Sequence, residues 1–275
     1  MTVSRRTLLA AGVVAASAGT FSAVKRLPRC DHLVVIIDEK HSLSQVAKSP
    51  HLASPASRGA FFRRSFTVAH PSQPDYLASF SGSTRGVGDD EHYDLNGPKL
   101  ALSFDTAEPS SIGYGESLPR TGFCGNRAGD HGGNHPPWAN FTNVPQTANK
   151  PLIDFPIEGF AALATVCVVI PNLRNGMHEG CVAARNTWRQ VRQDDYARWA
   201  MGHNSLLVAT FDEGPGYRSP ATTPIATAAV GAHAKPGASD QPITHRYVLR
   251  TAEDFYGQRS SGDGGSATRI AGIWH

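Results

Sequence analysis

Ser72 stands between two prolines in His70-Pro71-Ser72-Gln73-Pro74-Asp75-Tyr76-Leu77, where a short apolar approach turns into a helix. A hydroxyl at a helix N-terminus lies beside unpaired backbone N–H groups and the positive end of the dipole, a place that favours an anion. A serine there can attack a phosphorus or carbonyl centre if its alkoxide is stabilised. The plainer reading is that Ser72-x-x-Asp75 is a capping box, as most serines ahead of a helix only cap it. Glu39 and the pair Asp212-Glu213 each follow an apolar run with the look of a strand. Taken singly, each reads as a solvated loop acid. Brought to one edge they would repel one another unless a cation lay between them, so together with Ser72 they imply a divalent metal.

Five apolar runs are the candidate strands that position these groups, at 32–37, 66–69, 164–170, 205–211 and 224–230. Continuous rather than alternating apolar runs suit parallel strands covered on both faces. Helical spacing of Trp188, Val191, Tyr196 and Trp199 predicts a helix over 187–202, and a second spans 247–256, ending at Gly257. Strands alternating with helices predict an α/β fold with a mainly parallel sheet, whose ligands bind beyond the carboxyl ends of the strands. The segment 86–156 is rich in Gly, Pro, Asn and His and predicts a loop-rich lid or site wall. The run Asp89-Asp90-Glu91 reads as a solvated loop, and Trp138 as packing for the lid.

The paired Arg5-Arg6 before a short apolar run, with Ala16-Ser17-Ala18 beyond it, reads as a twin-arginine leader over 1–23. That run is too short to span a membrane. Residues 24–275 then form a single domain. The leader carries two arginines and no acid, so its removal lowers the formal charge from +3 to +1. Neither value supports a nucleic-acid or membrane-surface partner. Cys30, Cys124, Cys167 and Cys181 contain no C-x-x-C spacing. In an exported chain they suggest disulfides, with Cys124–Cys181 the first candidate and Cys167 buried.

Several segments in order resemble the bacterial phosphoesterase family of secreted acid phosphatases and phospholipases C, within the alkaline phosphatase superfamily. They are the strand leading into Asp38-Glu39-Lys40-His41-Ser42, the Ser72 stretch, and Asn134-His135-Pro136-Pro137-Trp138-Ala139-Asn140-Phe141. Ile170-Pro171-Asn172-Leu173 through Met177-His178, then Thr210-Phe211-Asp212-Glu213, and finally the segment from His245 to Gly257 continue the match. The resemblance implies an alkaline-phosphatase-like three-layer sandwich. It makes Ser72 the nucleophile and a metal ligand, with Glu39, Asp212 and Glu213 holding one divalent metal ion. It sets His135, His178 and His245 around the phosphate.

Some positions depart from the family pattern. Lys40 and Asp75 each stand where the family has Asn, Gly176 where it has Asp, and Glu179 where it has another Asp. An ammonium is not a metal ligand. The opposite charges of Lys40 and Asp75 allow a compensating ion pair, and with that pair in place turnover at neutral pH is expected to be weak or absent. The reading as a whole is an exported phosphomonoesterase of acid phosphatase type, working through a phosphoserine on small phosphate esters. Phospholipase C is the runner-up, and a catalytically impaired phosphate-binding descendant is the rival from another class. A sulfatase reading fails because the Ser72 stretch lacks the arginine of C/S-x-P-x-R.

Overall fold

The run at 32–37 forms strand β1 (His32–Asp38), and its two faces explain its composition. Leu33 and Ile37 pack on one face, Val34 and Ile36 on the other, so each residue meets a covering layer. A computed structural model of the chain describes residues 27–47, 57–97, 110–179, 182–216, 222–262 and 267–275. The expected leader, residues 1–23, and Cys181 lie outside the described residues.

After β1 come helix α1 (Leu43–Val46), strand β2 (Ala60–Phe66) and helix α2 (Ser72–Ser81). Strand β3 (Ser111–Gly115) and a small hairpin of β4 (Arg127–Ala128) and β5 (His131–Gly132) follow. Strands β6 (Asn149–Pro151) and β7 (Val166–Ile170) lead to the long helix α3 (Val182–Gly202). The chain closes with β8 (Ser205–Phe211), β9 (Ile225–Gly231), β10 (Gly237–Ser239), β11 (Ile243–Thr244) and helix α4 (His245–Phe255). The sheet runs β10-β2-β9-β8-β1-β7-β3-β6, with β11 also paired to β2. Tyr76, Leu77 and Phe80 of α2 and Leu249, Ala252 and Phe255 of α4 cover one face. Trp188, Tyr196, Ala197 and Ala200 of α3 cover the other, which makes an α/β sandwich of three layers. Fully burying a Leu or Phe side chain contributes roughly 1.5–3 kcal/mol.

Strands β8, β1, β7, β3 and β6 are parallel, in line with the sequence reading. The run at 224–230 is a strand but pairs antiparallel to both β8 and β2. Both its faces are covered, so a continuous apolar run reports burial and not strand direction. The expected strand at 66–69 is displaced: β2 ends at Phe66, and the charged Arg63 and Arg64 inside it break the apolar pattern. The supposed lid also contains β3, which lies in the sheet between β7 and β6. Its Gly113 is obligatory, because an added Cβ would stand 2.1 Å from the Trp138 ring. Trp138 itself is 1 % exposed and donates its indole N–H to Asn149 at 2.8 Å, so it packs as expected. Cys124 carries a free thiol.

Candidate active site

The edge formed by the carboxyl ends of β1 and β8 gathers the acids. Glu39 follows β1, Asp212 and Glu213 follow β8, and the parallel register aligns Asp38 with Phe211. The Asp212 N–H donates to the Asp38 carbonyl at 2.7 Å, and the Lys40 N–H to Asp212 Oδ1 at 2.8 Å. Residues that are distant in sequence thus meet because two parallel strands end side by side.

Helix α2 lays three groups on one face, since positions i, i+3 and i+4 are neighbours. Ser72 donates its hydroxyl to Glu213 Oε1 at 2.9 Å and lies 3.5 Å from Glu39 Oε2. Tyr76 donates to Glu39 Oε1 at 2.5 Å. Asp75 accepts from the Val68 N–H at 2.9 Å and faces His245 Nδ1 at 3.0 Å. The capping role expected of Ser72 is not what the structure has. Pro71 is the N-cap residue, Ser72 is the first helical position, and its hydroxyl reaches the acids. Asp89, Asp90 and Glu91 lie in an exposed loop, as the sequence reading has it, and Asp90 also accepts the Gln73 N–H at 2.9 Å, capping the first turn from outside.

The histidines divide. His135 is 2 % exposed, stacks on Tyr76 and stands 3.2 Å from Glu39 through Nδ1. Burial pushes its imidazole down to about 4. His178 lies beside it, its ring 5.7 Å away, and burial lowers its pKa as well. His245 does not join this group. Its Nδ1 faces Asp75 and its Nε2 faces the Phe211 carbonyl at 2.7 Å, so both nitrogens are committed inside the protein. Burial works against its charge, but the Asp75 carboxylate and the Phe211 carbonyl outweigh that and raise its pKa.

The expected Lys40–Asp75 ion pair is absent. The Lys40 ammonium lies 4.0 Å from Glu213 Oε1, while Asp75 is turned inward to His245. The ground for expecting suppressed turnover goes with it. Gly176 has a steric reason to lack a side chain: a Cβ would meet the Asn172 carbonyl at 2.9 Å and Glu39 Cγ at 3.4 Å. Glu179 pairs with Arg127 on the surface. Sequence reasoning missed His70, in close contact with Glu213 Oε2, and Tyr76. Both lie in the Ser72 stretch, and the helical spacing of Ser72 and Tyr76 was the available signal.

A divalent cation fits these residues. Burial raises the carboxyl pKa values of Glu39, Asp212 and Glu213, and at Asp212 the charges of the other two add to it. Asp212 Oδ2 is buried with no hydrogen-bond partner among the described residues. An uncompensated carboxylate oxygen at a buried acidic cluster calls for a positive partner. Glu39, Ser72, Asp212 and Glu213 offer hard oxygen donors. Glu39, His135 and His178 also bring ligand atoms within 4.8 Å of one another, a mixed nitrogen and oxygen set.

The profile of the Phosphoesterase family matches residues 39–257. The phosphatidylinositol-3-phosphatase of Mycobacterium tuberculosis is 36 % identical over 97 % of this chain and 92 % of its own length. A phosphate-repressible acid phosphatase of Penicillium chrysogenum is 27 % identical over 84 % of this chain and 60 % of its own. An alkaline phosphatase superfamily protein from Vibrio parahaemolyticus shares the fold, with TM-score 0.56 and 10 % identity over 88 % of this chain and 70 % of its own. Mapped on the structure, the family match begins at Glu39, passes through Ser72 and the histidine pair, and ends just past α4; the chain belongs to the Phosphoesterase family, hydrolases of phosphoric esters.

Proposed function

We propose that the protein is an exported phosphomonoesterase of acid phosphatase type that works through a phosphoserine at Ser72. The observation that carries this reading is the Ser72 hydroxyl, buried at the start of α2 and hydrogen-bonded to Glu213 within an acidic cluster. A divalent cation held by Glu39, Ser72, Asp212 and Glu213 would lower the hydroxyl pKa and offset charge on the phosphoryl oxygens. Glu213 takes the Ser72 proton as the oxygen attacks phosphorus, and His70 holds Glu213 in place from its other oxygen. Tyr76 and His135 fix the Glu39 carboxylate. His178, half-buried beside His135, is the group placed to donate to the leaving oxygen. Export rests on the paired arginines and the short apolar run after them.

The test is phosphate release from p-nitrophenyl phosphate and from a phosphoinositide monoester, alongside phosphatidylcholine. Ser72→Ala should abolish release while the circular dichroism spectrum stays unchanged. Cleavage of phosphatidylcholine in preference to both monoesters would move the reading to phospholipase C, and full activity in Ser72→Ala would remove Ser72 from it.

A further inference from the structure

Lys40 follows Glu39 at the edge that gathers the acids, and its backbone and side chain are both tied to that edge. Its backbone is in the left-handed region at φ 47°, which an asparagine tolerates more readily than a lysine. The flanking amides pin it there: Glu39 N–H to the Gly176 carbonyl at 2.8 Å, and Lys40 N–H to Asp212 Oδ1 at 2.8 Å. With the backbone fixed by both acids' strands, the side chain reaches across Glu213. Glu213 Oε1 accepts from Ser72 at 2.9 Å and lies 4.0 Å from the Lys40 ammonium. Both contacts share one oxygen, so hydroxyl and ammonium stand within about 7 Å of each other.

A phosphoryl group can bridge two groups that lie within that limit. An attacking oxygen approaches phosphorus at about 3–3.5 Å. One P–O bond then separates phosphorus from a non-bridging oxygen, and an ammonium binds such an oxygen at about 2.8 Å. Exposure agrees with the arrangement. The Lys40 side chain is 36 % exposed, whereas Ser72, Glu39 and Asp212 are 1 % exposed. The Lys40 side chain is therefore open to solvent, from which an incoming dianion arrives. At 4.0 Å its pairing with Glu213 is too long for a hydrogen bond, so among the described residues that pairing leaves its donors open to a ligand.

We propose that the Lys40 ammonium binds a non-bridging oxygen of the phosphoryl group presented to Ser72. The proposal rests on the phosphoester reading of the site and adds to it a phosphate-binding residue of this chain's own. A solvated lysine that merely balances the acids would bind no ligand, and the two roles separate in experiment.

The probe is inorganic phosphate, with orthovanadate as a second anion, titrated calorimetrically into the intact protein. Lys40→Met, Lys40→Asn and Lys40→Arg are compared with the parent, and metal content is measured on each sample by mass spectrometry. Losing one charged hydrogen bond should weaken phosphate binding about 10–100-fold in Lys40→Met and Lys40→Asn, with partial recovery in Lys40→Arg. Metal content should not change, and Lys40→Asn should melt no lower than the parent because it relieves the left-handed backbone. Unchanged phosphate affinity in both neutral variants overturns the proposal. So does a loss of affinity that follows a loss of metal, since Lys40 would then act only through the acids. If the parent binds phosphate in a Lys40-dependent way yet releases nothing from p-nitrophenyl phosphate, the hydrolase reading fails and the Lys40 contact stands.

Discussion

Breaking the buried pair between Asp75 and His245 should cost more than any surface ion pair in the molecule. Asp75 is 0 % and His245 2 % exposed, and among the described residues the carboxylate has the Val68 amide as its one other donor. Replacing His245 by Gln leaves an anion in that site without its cation, a change that typically costs about 3–5 kcal/mol. For a chain of this size that is on the order of 10 °C in Tm. Asp75→Asn keeps an acceptor for the Val68 amide and should cost less, about 1–3 kcal/mol. The double variant removes both charges, so the two costs should fall short of adding by at least about 1 kcal/mol. The pH dependence has a definite sign. The folded pKa of His245 lies above its unfolded value of about 6.5, so the pair's contribution is complete below that value. It is lost as pH rises through the folded pKa. Urea unfolding at about pH 6 and about pH 9, followed by circular dichroism, should show the parent's advantage over Asp75→Asn shrinking at the higher pH. The Nε2 contact to the Phe211 carbonyl sits one residue before Asp212, so turnover should fall along with stability. Additive costs with no dependence on pH would refute the argument.

The packing of the 86–156 segment can be tested at Gly113. Gly113→Ala places a methyl 2.1 Å from the Trp138 ring and should lower stability by about 1–3 kcal/mol, read as a reduced urea midpoint. An unchanged midpoint would mean that Trp138 moves freely. Metal removal should expose the strain among the acids. Burial raises the folded pKa values of Glu39, Asp212 and Glu213, so in chelator-treated protein their favourable share is complete below about pH 4 and lost as pH rises through the folded values. Chelated protein should therefore melt higher at about pH 5 than at about pH 7.5, and restored divalent ion should raise Tm most at the higher pH. A flat Tm across that range, with or without ion, would show that no cation is needed there.

Strand β1, strand β8 and the helix behind Ser72 were legible from the chain because their composition answers a local question, whether both faces of a segment are covered. The placement of Glu39 and Asp212 just past two strand ends was legible for the same reason. Strand direction was not, as β9 shows: a run buried on both faces looks alike in either orientation. Nor did β3 stand out, since Ser111–Gly115 is short and holds two glycines that make room for Trp138 and His131. Side-chain partners were the least visible of all. Lys40 and Asp75 carry opposite charges, and only the folded chain turns one toward Glu213 and the other toward His245. Apolar periodicity is written residue by residue, because burial acts on each residue separately. The choice of a charge's partner depends on distances across the sheet edge, and those exist only once β1, β8 and α2 have packed.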